Sequence, residues 1–155
     1  MMTHLICDIL NALSGKTLAT AESCTGGGIG AAITSVAGSS AVYKGGVISY
    51  TNRVKETVLG VDREVLDEFG AVSSQVAQEM AIGARNLLQV DVAVSVTGLA
   101  GPGNDEYGNP VGTVFIGYCD ASKAYAKEYY FPGDREAVRS QAIRTALEIV
   151  LKECQ

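Results

Sequence analysis

Ser23 is the residue of this sequence whose position most favours nucleophilic chemistry. It follows residues 17–22, a short apolar segment that predicts a β-strand, and it precedes Thr25 and a run of three glycines that opens a helix. Backbone N–H groups and the positive end of a helix dipole collect at such a junction, where they stabilise an anion or a developing oxyanion. Ser23 is therefore a candidate attacking hydroxyl. The alternative is that Ser23 and Thr25 only cap the helix.

A nucleophilic serine needs a proton acceptor, and the sequence narrows the choice. The one histidine, His4, lies in the leading helical segment, so the acceptor for Ser23 would be a lysine, a tyrosine or a bound water. Lys55 follows the strand-like residues 47–51 and approaches Ser23 if the two strands are neighbours. As a base, Lys55 needs its pKa lowered from about 10.4 by burial or a nearby cation; the alternative is a solvated surface lysine. Cys24 is a rival nucleophile, although adjacent residues of an extended segment face opposite ways.

Two glycine patterns resemble nucleotide-binding motifs without completing them. Gly26-x-Gly28-x-x-Ala31 fits the dinucleotide fingerprint, but the next strand offers no acidic residue for a ribose. Residues 15–17 (GKT) resemble the end of a phosphate-binding loop whose first glycine is replaced by Leu10. Neither pattern establishes a nucleotide cofactor.

Two later segments carry candidate ligand contacts. A buried-strand pattern ends at Thr97 and Gly98 and continues into a long glycine-rich loop, residues 98–110, which is either a binding wall or a simple wide turn. Arg135 and Arg139 lie on the first turns of a helix, where cations oppose the helix dipole. An anionic ligand such as a phosphate offsets that repulsion. Pairing with the neighbouring acidic residues is the alternative.

The elements that must position these residues alternate between helical and strand patterns. Such an order predicts an α/β domain, and two adjacent strands near the end of the chain make its sheet mixed. Helices are predicted over residues 1–13, 29–36, 52–59, 62–69, 75–88 and 134–151, and strands over 17–22, 42–51, 91–97, 111–119 and 123–131.

The composition restricts the functional class. The chain of 155 residues is 47% hydrophobic, which predicts one globular domain over residues 1–155, and its net charge of −5 argues against nucleic-acid binding. No apolar run approaches the ~18 residues that span a bilayer, and the N-terminus lacks the basic start of a secretory signal. The four cysteines are scattered and form no C-x-x-C pair, so we expect reduced cytoplasmic thiols, neither disulfides nor a zinc site.

Together these segments resemble the CinA C-terminal domain family of competence/damage-inducible proteins. The matching motifs are AESCTGG (21–27), GSS (38–40), GVISYTN (46–52) with Lys55, GAVS (70–73), TGLAGP (97–102), PVGTVF (110–115) and GDREAVR (133–139). The resemblance implies a three-layer α/β/α fold and an amidohydrolase that converts nicotinamide mononucleotide into nicotinic acid mononucleotide and ammonia. It also implies no metal or other cofactor, a homo-oligomer and the stand-alone form of the domain.

The resemblance also assigns roles to individual residues. It makes Ser23 the attacking hydroxyl, with Lys55 assisting as base and Tyr50 positioning or sharing protons, and it leaves open which of the two accepts the proton. The substrate-binding residues that it implies are Thr25, Gly26 and Gly27 in the turn, Asn52, Thr97 and Gly98 in the pocket, and Arg135 and Arg139 at the phosphate. The alternative is a non-catalytic nucleotide-binding or protein-interaction module. The two hypotheses differ in whether the Lys55 amine must lie near the Ser23 hydroxyl.

Overall fold

The predicted helices and strands form with small shifts at their ends. The computed structural model describes residues 2–155. Its helices are α1 (Met2–Ala12), α2 (Gly28–Thr34), α3 (Asn52–Thr57), α4 (Arg63–Phe69), α5 (Ser74–Leu88) and α6 (Arg135–Cys154). Its strands are β1 (Leu18–Glu22), β2 (Tyr43–Ile48), β3 (Val92–Gly98), β4 (Thr113–Cys119) and β5 (Ala124–Tyr130). Within residues 2–155, no helix is long and apolar enough to cross a membrane.

A mixed sheet brings the ends of three strands to one edge. The strand order is β2-β1-β3-β4-β5, with β1 parallel to both β2 and β3, and with β4 and β5 antiparallel to their neighbours. Glu22, the last residue of β1, pairs with Ile48 on one side and with Val96 on the other. The prediction of a mixed sheet is confirmed, and Ser23 emerges at its carboxyl edge between the two neighbouring strands.

Helices cover both faces of the sheet. The alternating residues of β3 show how: Val94 and Val96 pack into the core shared with α1, α2 and α6, whereas Ala93 packs into the core shared with α4 and α5. Small residues let α5 approach closely, because a Cβ at Gly117 of β4 would collide with the carbonyl oxygen of Ala77. The three-layer α/β/α prediction is therefore confirmed.

Side-chain caps begin the helices that follow the cleft-forming strands and loops. Thr51 accepts a hydrogen bond from the N–H of Val54 at the start of α3, and Asp134 accepts one from Ala137 at the start of α6. Ser73 caps α5 in the same way. An extended residue with a hydroxyl or carboxylate satisfies a helix's first free donors. These caps fix the positions at which Lys55 and Arg135 leave the backbone.

Candidate active site

Ser23 and Lys55 meet at the carboxyl edge of the sheet. Ser23 directly follows β1, and Lys55 lies on the first turn of α3, just after the neighbouring strand β2. The amine of Lys55 donates one hydrogen bond to Ser23 Oγ at 3.0 Å and another to the carbonyl oxygen of Ser49 at 2.7 Å. The condition set by the sequence, that the two strands be neighbours, is thus met.

The Lys55 amine lies in an environment that disfavours its charge. Lys55 is 1% exposed. No carboxylate among residues 2–155 lies within salt-bridge distance of its amine. Burial therefore lowers the pKa of Lys55 from its ordinary value of 10.5 to about 8. Once neutral, the amine offers a lone pair to the Ser23 hydroxyl while it still donates to Ser49. A buried, poorly compensated lysine of this kind is a suitable general base.

Cys24 borders the same site but is unsuited to act as a nucleophile. Burial raises the pKa of its thiol to about 11, and a protonated thiol is a poor nucleophile. The residue belongs to the apolar core between the sheet and helices α1, α2 and α6. Of the two neighbouring candidates, Ser23 is the one whose side chain contacts the Lys55 amine.

A cleft of about 510 Å³ opens above this pair. Besides Ser23 and Lys55, its lining includes the predicted residues Tyr50, Asn52, Thr97, Gly98 and Arg135. The lining also includes Leu99 to Asn104, which belong to the loop predicted as either a binding wall or a wide turn, and an apolar wall is formed by Ala71, Val72, Leu99 and Ala100. Sequence reasoning gave no ligand role to Ala71 and Val72. Both segments of this wall contain a motif of the family resemblance, GAVS around Ala71 and TGLAGP around Leu99. The spacing of these motifs in the sequence does not show that they face Ser23.

Arg135 and Tyr50 meet at the mouth of the cleft. The Arg135 guanidinium donates from Nη1 to the carbonyl oxygen of Gly101 at 2.7 Å and from Nη2 to the Tyr50 hydroxyl at 3.1 Å. Tyr50 is 60% exposed. Within residues 2–155, neither Arg135 nor Arg139 forms an ion pair with a carboxylate. Pairing with neighbouring acidic residues is therefore not their role in this structure, and the positive charge of Arg135 remains available to a ligand.

Glu22 is a functional residue that sequence reasoning missed. Its carboxylate is 2% exposed; Oε1 accepts hydrogen bonds from Thr25 Oγ1 at 2.7 Å and from the N–H of Ile29 at 2.9 Å, and Oε2 accepts one from Gly30 at 3.0 Å. The expectation of free N–H groups at the start of α2 is therefore wrong, because a side chain of the protein already occupies them. An acidic residue ending an otherwise apolar strand was the available signal.

Replacing Glu22 by glutamine should destabilise the fold. The amide keeps one acceptor oxygen where the carboxylate offers two, so a buried N–H is left without a partner, and we expect the free energy of unfolding to fall by about 2–4 kcal/mol. Urea denaturation at neutral pH measures the difference. Glu68→Gln, at an exposed position on α4, is the matched control and should change stability by less than about 0.5 kcal/mol. Equal stability of the two variants would contradict the assigned role of Glu22.

Four predicted binding residues lie behind the turn and do not line the cleft. Thr25 is fully buried, and its hydroxyl is used by Glu22. Gly26 and Gly27 adopt positive φ angles of 60° and 99° that carry the chain from β1 into α2. Arg139 donates from Nε to the carbonyl oxygen of Cys24 at 3.0 Å and from Nη2 to that of Thr25 at 3.1 Å. The structure thus brings Arg135 to the cleft but turns Arg139 towards the backbone.

The hydroxyl of Thr97 is also used within the protein. Thr97 is almost fully buried, and its Oγ1 donates to the carbonyl oxygen of Ala71 at 2.8 Å. Its neighbour Gly98 leaves no room for a side chain, since a Cβ there would lie 2.8 Å from the carbonyl oxygen of Thr113. Thr97 therefore ties the apolar wall to β3, and the backbone at Gly98 forms part of the cleft floor.

Comparisons with known proteins show which family the chain belongs to. A family model described as the CinA C-terminal domain matches residues 2–154. A protein of Enterobacter agglomerans named nicotinamide-nucleotide amidohydrolase PncC is 48% identical over 141 residues, which cover 90% of this chain and 85% of that protein. A CinA-like protein of Rippkaea orientalis is 46% identical over 137 residues, 86% of this chain but 33% of the relative. The chain thus spans about a third of the length of several curated CinA-like relatives that it matches.

Solved structures match along nearly the entire chain. The competence damage-inducible protein A of Klebsiella pneumoniae is 37% identical and superposes with a TM-score of 0.95, covering 98% of this chain and 96% of its own. The competence/damage inducible protein of Agrobacterium tumefaciens is 40% identical, with a TM-score of 0.94 and coverage of 99% and 96%. On sequence and on structure alike, this chain belongs to the CinA C-terminal domain family.

Proposed function

We propose that this chain hydrolyses the carboxamide of nicotinamide mononucleotide, producing nicotinic acid mononucleotide and ammonia. The observation that carries the proposal is the 3.0 Å hydrogen bond between Lys55 Nζ and Ser23 Oγ at the edge of the cleft. A hydroxyl beside a buried amine is the arrangement that acyl transfer needs. The 48% identity to a protein named for nicotinamide-nucleotide amidohydrolysis supports the choice of substrate.

The first half of the reaction would acylate Ser23. The neutral amine of Lys55 takes the hydroxyl proton while Ser23 Oγ attacks the carboxamide carbon, giving a tetrahedral oxyanion. The resulting ammonium of Lys55 then donates that proton to the departing nitrogen. Ammonia leaves, and the nicotinoyl group remains bound to Ser23 as an ester. No proton has to come from solvent in this half.

The second half would release the acid. A water molecule takes the place of ammonia and gives a proton to Lys55 as its oxygen attacks the ester carbon. When the second tetrahedral intermediate collapses, Lys55 returns the proton to Ser23 Oγ. Because the Ser49 carbonyl oxygen accepts from the amine at 2.7 Å, the lysine keeps its orientation in both protonation states. Tyr50 is assigned to substrate positioning, since its hydroxyl is hydrogen-bonded to Arg135.

The cleft has chemically distinct parts that fit the remainder of the nucleotide. The apolar wall of Ala71, Val72 and Leu99 suits the flat pyridine ring. At the mouth, Arg135 offers a guanidinium with no carboxylate partner in residues 2–155, which suits a phosphate. Asn52 adds an amide to the lining. A non-catalytic binding module would not require the buried Lys55 amine to contact Ser23, so the contact favours the enzyme.

Ammonia release by the purified protein tests the proposal. The substrates to compare are nicotinamide mononucleotide, its phosphate-free riboside and free nicotinamide, with chromatographic identification of the deamidated product. We expect the mononucleotide to have the highest kcat/KM, because it alone presents both the carboxamide and the phosphate. Failure to release ammonia from all three would overturn the proposed function and favour the binding module.

The assignment of the phosphate to Arg135 gives a separate prediction. Arg135→Ala should raise KM for the mononucleotide by about 10- to 100-fold, the effect of losing a charge-assisted contact, and should change the activity on the riboside little. Steady-state kinetics on both substrates measure the difference. Arg144→Ala removes an exposed arginine farther along α6, where it faces Glu148, and serves as the control. If both substrates lost activity equally in Arg135→Ala, Arg135 would have a structural role.

A further inference from the structure

The turn after Ser23 holds its first carbonyl groups in hydrogen bonds and leaves three of its N–H groups without an acceptor on another described residue. The carbonyl oxygen of Ser23 accepts from the N–H of Gly26 at 3.0 Å, and those of Cys24 and Thr25 accept from Arg139 at 3.0 and 3.1 Å. The N–H of Ser23 is used as well, since it donates to the Val96 carbonyl oxygen at 2.9 Å. Within residues 2–155, the N–H groups of Cys24, Thr25 and Gly27 have no hydrogen-bond acceptor on another residue, and of these three residues Cys24 lines the cleft.

The hydrogen bonds to the carbonyl oxygens of Ser23 and Cys24 determine where the N–H groups of Cys24 and Thr25 point. In a trans peptide the C=O and the N–H of the same unit point in opposite directions. Arg139 Nε, bonded to the Cys24 carbonyl oxygen, therefore directs the N–H of Thr25 away from the guanidinium. In the preceding peptide, the Gly26 N–H holds the Ser23 carbonyl and so directs the N–H of Cys24.

Arg139 supports both peptide units. Its Nη2 holds the Thr25 carbonyl, and that carbonyl belongs to the same peptide as the Gly26 N–H, which in turn holds Ser23. A cation on a carbonyl oxygen also polarises the peptide and strengthens the N–H donor on its other side. The guanidinium thus acts on the donors beside the nucleophile without lining the cleft itself.

We infer that Arg139 is a positioning residue: through the peptide that joins Thr25 to Gly26 and the carbonyl group of Ser23, it orients the N–H of Cys24 as the donor of an oxyanion pocket beside Ser23. The inference rests on the proposed function, which requires an oxyanion on the carbon that Ser23 attacks. The N–H of the residue after a nucleophile is a common oxyanion donor. The inference also separates the two arginines of α6: Arg135 contacts the substrate, whereas Arg139 acts through the backbone.

Kinetics on phosphorylated and unphosphorylated substrates distinguish this role from phosphate binding. Arg139→Leu should lower kcat by about 100-fold on both nicotinamide mononucleotide and its riboside, the usual effect of weakening an oxyanion donor, with KM changed less than about threefold. Arg139→Lys should recover part of the loss, because one ammonium can hold one of the two carbonyls. Arg144→Leu on the same helix is the control and should keep the wild-type rate. A loss confined to KM for the mononucleotide would overturn the inference in favour of phosphate binding.

Labelling of Ser23 by a fluorophosphonate gives a readout that does not depend on the nucleotide. Ser23 Oγ bonds to phosphorus, fluoride leaves, Lys55 takes the proton, and the phosphoryl oxygen occupies the oxyanion pocket. The labelling rate should fall in Arg139→Leu in parallel with kcat and recover partly in Arg139→Lys; if Arg139→Leu does not fold, the lysine variant decides alone. Wild-type protein that labels at Ser23 but releases no ammonia would refute the proposed substrate and leave the inference intact. Labelling unaffected by either substitution would refute the inference.

Discussion

Replacing Ser23 by alanine is expected to lower ammonia release from nicotinamide mononucleotide by at least about 10³-fold. The variant has no atom to carry the acyl group, and the neutral amine of Lys55 would be left to activate water alone. Substrate affinity should change little, because the hydroxyl is one small part of a cleft lined by residues of several segments. Equilibrium binding of the mononucleotide, measured beside the steady-state rate, separates the two effects.

The control for Ser23→Ala is Ser14→Ala. Ser14 is an exposed serine after α1 and does not line the cleft, so its removal should leave the rate unchanged. Ammonia release by Ser23→Ala at the wild-type rate would exclude a serine ester. The buried, protonated thiol of Cys24 would not account for such activity, since its pKa is raised to about 11.

Lys55→Met should lose activity to a similar degree while gaining stability. The proton acceptor disappears, so we expect kcat to fall by at least about 10³-fold. At the same time the fold no longer buries a cation that lacks a carboxylate partner in residues 2–155. Lowering the pKa of Lys55 from 10.5 to about 8 corresponds to roughly 3 kcal/mol of unfavourable burial. The two lost hydrogen bonds offset part of this, which leaves a net gain of about 1–2 kcal/mol.

The stability difference between Lys55→Met and the wild type depends on pH, because the buried lysine loses its proton at a lower pH than the unfolded one. Below pH 8 the lysine is protonated in both the folded and the unfolded protein, so the penalty of its burial is complete. As the pH rises from 8 towards 10.5, the folded protein releases the proton first and the penalty disappears. In urea titrations the stability advantage of Lys55→Met should therefore be largest below pH 8 and be lost before pH 10.5, where only the cost of the two missing hydrogen bonds remains.

The wild-type rate should show the complementary trend. Because only the neutral amine accepts the proton of Ser23, kcat/KM should rise with pH and level off above about 8, the pKa of Lys55. The residual activity of Lys55→Met should not follow this curve. A wild-type profile that is flat between pH 6 and 9, or a Lys55→Met protein that is less stable than wild type below pH 8, would contradict the assignment.

The fold was readable from the sequence because its periodicities are unambiguous. The alternation of β3 and the helical spacing of α5 each allow one assignment, and Asp62 and Asp134 mark helix starts by their chemistry. The end of β2 was placed three residues too late, since Ser49 to Thr51 continue its polar and β-branched pattern. In the structure the Ser49 carbonyl turns to Lys55 and Thr51 caps α3, and a strand pattern contains no signal for such contacts.

The candidate site was predictable in its members but not in its geometry. Spacing places Lys55 near Ser23 only if β1 and β2 are adjacent, and strand order is a property of the tertiary fold. The two arginines of α6 share one helix face by their separation of four residues. Yet Arg135 reaches the cleft mouth and Arg139 the turn behind it, because the packing of α6 beside α2 decides what each side chain meets. Glu22 was missed for the same reason, since two of its three partners lie on a helix that begins six residues later.

The segments around the cleft come from distant parts of the chain, from Ser23 after the first strand to Arg135 at the start of the last helix. A bound nucleotide would therefore bridge nearly the full length of the polypeptide, and its binding energy would be shared by the whole domain. Bound ligand would then stabilise the folded domain against global unfolding, and the melting temperature would rise with the logarithm of the ligand concentration. A fragment without the segment of Ser23 or that of Arg135 would lose part of the recognition surface.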